Sequence, residues 1–71
     1  MNIREAVVTI FEAKEKAGVD EFIVIANEDD VIFRFGKGDK VVSDSYPVHV
    51  LSRPEAEIGL EVQLTKLAHK L

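Results

Sequence analysis

Cysteine and tryptophan are both missing from this 71-residue chain, and only two prolines and four glycines punctuate it. Without cysteine there are no disulfide staples, thiolate zinc ligands or cysteine nucleophiles, so apolar burial has to hold the fold. The same absence fits a reducing compartment. Basic residues are in the minority, nine against thirteen acidic ones for a formal net charge of −4, whereas a nucleic-acid binder is expected to show a basic footprint. The longest apolar run is Phe22-Ile23-Val24-Ile25-Ala26, far short of the roughly 18–20 residues needed to cross a bilayer. The opening Met1-Asn2-Ile3-Arg4-Glu5 lacks the basic start and apolar stretch of a signal peptide, and a cytosolic protein is expected. No repeat, low-complexity tract or linker divides the chain, so residues 1–71 are expected to form one domain.

Apolar residues make up 46% of the chain and charged residues 31%, enough to build a core and too apolar for disorder. Asn2 and Glu5 have capping-box spacing and Gly18 follows Ala17 where a helix takes a left-handed stop, which predicts a helix over residues 3–17. Its core stripe is expected to be Ile3, Val7, Ile10 and Phe11, flanked by Ala6 and Ala17, with Lys14 snorkelling from the same stripe. Residues 22–27 and 31–35 are rich in β-branched and aromatic side chains around an Asn27-Glu28-Asp29-Asp30 tip, the pattern of a β-hairpin. Period two puts Phe22, Val24 and Ala26 on one face of the first strand and Val31, Phe33 and Phe35 on one face of the second. Gly36-Lys37-Gly38-Asp39 then reads as a second turn, and a third strand is expected from Lys40.

Residues 41–51 read as one kinked edge strand, because Ser43-Asp44-Ser45 suggests a bend and Pro47 cannot donate a ladder bond. Ser52-Arg53-Pro54-Glu55 announces a second helix, capped at Ser52 or Arg53 and running to Leu71, with Ala56, Leu60, Leu64, Leu67 and Leu71 inward. Gly59 is a mild defect within it. The expected fold is α+β: an α-β-β-β-α chain with a three-stranded antiparallel meander and both helices on one face.

Chemistry-bearing motifs are few. Gly36-Lys37-Gly38-Asp39-Lys40 has the glycines of a phosphate loop but neither its spacing nor a following helix, and an ordinary turn is favoured. Asn27 to Asp30 gather oxygen ligands without the glycine-centred loop of a calcium site, which favours a solvated tip. His49 and His69 have no partner at ligand spacing, and Ser43, Ser45 and Ser52 have no evident base. No enzyme, metal or cofactor is expected.

The α-β-β-β-α order resembles that of double-stranded-RNA-binding domains, with Ser52-Arg53-Pro54-Glu55-Ala56-Glu57 at the basic start of their last helix. Those domains grip phosphates there with several lysines, whereas Arg53 stands here beside Glu55 and Glu57, so no binding residues carry over. A separate basic hairpin, Arg34, Lys37 and Lys40 interleaved with Phe33 and Phe35, makes nucleic-acid binding the second expectation, with Arg53 as its further contact.

The leading expectation comes from surplus apolar surface. If the helices cover the face bearing Phe22, Val24, Val31, Phe33 and Phe35, then Ile23, Ile25 and Ile32 point to solvent, and Ile58 and Val62 lie on the far side of the second helix. The first strand is an edge strand with neither Lys nor Pro to block pairing. These five residues are the candidate partner-binding set of a small protein-interaction module, expected to be a homodimer.

Overall fold

The computed structural model describes all 71 residues, with element order α1 (Ile3–Ala17), β1 (Glu21–Ala26), β2 (Asp30–Lys37), β3 (Lys40–Pro47), a 3₁₀ turn (Val48–Val50) and α2 (Ala56–Ala68). The expected α+β class and α-β-β-β-α order are what is observed. Both ends of α1 are set by local chemistry. The Asn2 side chain accepts the Glu5 N–H at 2.8 Å while Glu5 Oε1 accepts the Asn2 N–H at 3.0 Å, satisfying two donors that the helix cannot use itself. Gly18 then ends the helix at φ 63°, a left-handed conformation that disfavours any side chain.

The sheet is an antiparallel meander in the order β1-β2-β3. Asn27 shapes the first turn, its Oδ1 accepting the N–H groups of Asp29 at 2.8 Å and Asp30 at 2.9 Å. The second turn is tighter than Gly36-Lys37-Gly38-Asp39 suggested: β2 runs through Lys37, and Gly38, at φ 63°, is the first central residue of a two-residue loop closed by Lys37 opposite Lys40. Glycine is the residue that fits this position.

Cross-strand partners share a face, so the register puts Phe22, Val24, Val31, Phe33, Phe35, Val42 and Tyr46 on one side. That side meets Ala6 and Ile10 of α1 and Ala56, Leu60, Leu64 and Leu67 of α2 in a single core. Phe33 and Phe35 lie at its centre, and an aromatic chain continues outward from Phe35 to Phe22 and from Phe22 to Phe11, each pair with ring centroids 5.9 Å apart. Gly59 is no defect here: a Cβ at this position would lie 3.0 Å from the Tyr46 hydroxyl, so its bareness lets α2 lie close on β3.

Three local expectations are corrected. Residues 41–51 are not one kinked strand: β3 is regular to Pro47 and the chain then coils into the 3₁₀ turn, anchored by the Val48 N–H to the Asp29 carbonyl at 2.8 Å. Helix α2 begins at Ala56 without a side-chain cap, because residues 51–55 form successive turns in which Arg53 N–H bonds Val50 O and Ala56 N–H bonds Arg53 O, and it ends at Ala68, short of Leu71. Within the α1 stripe Ile10 is buried and Val7 half-buried, but Ile3 and Phe11 are exposed. Small Ala6, Ala13 and Ala17 let α1 settle on the sheet along their own line, which leaves Ile3 exposed and turns Phe11 toward Phe22 of β1.

Candidate functional site

The side of the sheet away from the helices is uncovered. Across it run the rows Ile25–Ile32–Ser45, Ile23–Arg34–Ser43 and Glu21–Gly36–Val41. Ile23 is 41% exposed, Ile25 54% and Ile32 36%, while Val41, also exposed, stands at the opposite corner of the face beyond Arg34 and Ser43. The three isoleucines of the candidate partner-binding set are thus brought together, Ile25 directly opposite Ile32 and two residues from Ile23 along β1. Arg34 Nη2 lies 3.5 Å from Glu21 Oε1 on the same face, across the space that Gly36 leaves free.

Ile58 and Val62 are exposed too, but on the outward side of α2, with the helix layer and the sheet between them and the isoleucines. They border a shallow hollow with Glu61, Thr65, Lys66 and His69. The candidate set therefore divides into two surfaces. The faces expected from sequence periodicity, isoleucines away from the helices and Ile58 and Val62 on the far side of α2, are the ones observed.

The two edges of the sheet differ in their backbone. The turn bond from Asn27 N–H to Asp30 O, 3.0 Å, sets the alternation of the antiparallel ladder. Glu21, Ile23 and Ile25 accordingly exchange bonds with β2, while the N–H and C=O groups of Phe22, Val24 and Ala26 turn toward the open edge. On β3 the same alternation turns Val41, Ser43 and Ser45 outward, and there the edge is closed toward its C-terminal end. The Ser45 carbonyl accepts Gln63 Nε2 of α2 at 2.7 Å, the Ser45 N–H donates to Asp44 Oδ1 at 2.8 Å, and Pro47 brings no N–H. Lys40 guards the other end of β3. The roles of Asp44 and Gln63, the exposure of Val41 and Ile3, and the exposure of Phe11 beside β1 were missed by sequence reasoning. Only Pro47 in β3 and the lack of Lys and Pro in β1 carried a local signal.

A cleft of about 480 Å³ runs between α1 and α2, floored by Ala13, Leu64 and Ala68 and rimmed by Glu12, Lys16, Glu61 and His69. No group of three or more His, Asp or Glu side chains is placed to hold a metal ion. His49 lies in the 3₁₀ turn and His69 at the end of α2, both exposed.

The basic set is spread out. Lys37 and Lys40 face each other at the β2–β3 turn, Arg34 pairs with Glu21 on the open face, and Arg53 lies beyond the 3₁₀ turn at the opposite end of the sheet. No helix is long and apolar enough to cross a membrane. Neither a family model, a curated protein nor a solved structure matches this chain.

Proposed function

We propose that this chain is a small protein-interaction module that works as a homodimer, through binding rather than catalysis. The observation that supports this most is the uncovered sheet face, where Ile23, Ile25 and Ile32 meet on a domain with few residues to spare for its core. Apolar side chains scattered singly over a surface are ordinary, but adjacent ones on a regular flat face mark a place where another surface docks. The nucleic-acid reading has less behind it, because Arg34 is engaged by Glu21 and Arg53 is remote from Lys37 and Lys40.

Sedimentation velocity at micromolar concentration tests the reading. The expected mass is that of two chains, and Ile25→Lys is expected to return one chain while leaving monomer stability within about 0.5 kcal/mol, as for a surface substitution. A single-chain mass for the unaltered protein across the micromolar range would refute it.

A further inference from the structure

Building on the reading of this domain as a self-associating module, we propose that two copies join through β1, which pairs antiparallel with its own copy about a two-fold axis at Val24. The product is one continuous six-stranded sheet. The outward N–H and C=O groups of Phe22, Val24 and Ala26 are self-complementary in this register: Val24 meets Val24 of the second copy, and Phe22 meets Ala26 in both directions. On the open face Ile23 of each copy then falls opposite Ile25 of the other, merging two apolar patches into one band.

The helix layer fits the same arrangement. Helix α1 packs on both β1 and β2, so across the axis its copy lies about two strand spacings away, roughly 10 Å, the separation at which helices pack. The flank of α1 turned to that space carries Phe11, still 47% exposed although it rests edge-on against Phe22. The two helices run antiparallel there, so Arg4 near the N-terminus of one is set toward the C-terminal half of the other, where Glu15 holds Lys14 at 3.8 Å and can take Arg4 as a second partner. The charges match as the apolar flanks do. Edge β3 offers no equivalent, since Gln63 and Pro47 interrupt it.

The chain has no cysteine of its own, so introduced thiols report the pairing directly. Ile23→Cys and Ile25→Cys, both on the exposed face, are mixed in equal amounts and oxidised gently. Directly opposed residues lie within disulfide reach, whereas positions offset by two residues lie about 7–8 Å apart, beyond it. The mixture is expected to give a covalent two-chain species, and each variant alone roughly tenfold less. If Ile23→Cys links to itself as readily, the axis is not at Val24 and the proposal fails. If the protein sediments as two chains but the mixture shows no preferred link, the β1 mode is overturned while self-association stands. A single-chain mass at every concentration overturns both.

Discussion

Strands β1 and β3 both pair with β2, yet along β3 the peptide groups of Ser45 are taken by Asp44 and Gln63 and Pro47 brings no N–H, whereas along β1 Phe22, Val24 and Ala26 hold theirs toward the open side. Exposed strand edges invite pairing, and folded proteins close the ones that are not used. This small domain closes the C-terminal half of one. The open edge is also the one bordered by Phe11 above and Ile23 and Ile25 below, so its unpaired backbone lies in an apolar setting that favours a protein strand over water.

The contrast can be broken at its shared support. Phe33 on β2 is fully buried, with Val24 across one side and Asp44 across the other, so Phe33→Ala is expected to cost about 3–5 kcal/mol in urea unfolding and to weaken both edges together. A loss below about 1 kcal/mol would mean that β2 is not the common anchor. The contrast is sharpened by uncapping the closed edge. Gln63→Ala frees the part-buried Ser45 carbonyl and is expected to cost about 1 kcal/mol. With β3 open as well, species larger than two chains are expected in sedimentation at high concentration, and their absence would show that Pro47 and Lys40 block the edge without help. The smallest effect is expected at the open face, where Arg34→Ala removes an exposed pair with Glu21 and should change stability by no more than about 1 kcal/mol, less still at high salt.

Much of this frame is legible in the residue order because its causes are local. The capping box of Asn2 and Glu5, Gly18 after Ala17, the Asn27 turn and the alternation of β2 each act within a few residues, and the element order follows from them. What was not legible depends on distant partners. Residues 48–55 follow the Val48 bond to Asp29 and the packing of α2, neither of which has a mark in the intervening sequence. Phe11 has the right spacing for the core but meets the sheet only edge-on at Phe22, at its margin, and stays 47% exposed. The isoleucines of the candidate surface were found from alternation alone, but the closure of β3 was not, since Gln63 lies 18 residues from the carbonyl it covers.

Amide hydrogen exchange read residue by residue, over a range of protein concentrations, tests the asymmetry of the two edges most directly. The N–H groups of Ile23 and Ile25, held by β2, should be protected throughout, while those of Phe22, Val24 and Ala26 should gain protection as concentration rises. Unprotected exchange at those three amides in the most concentrated sample would contradict the account.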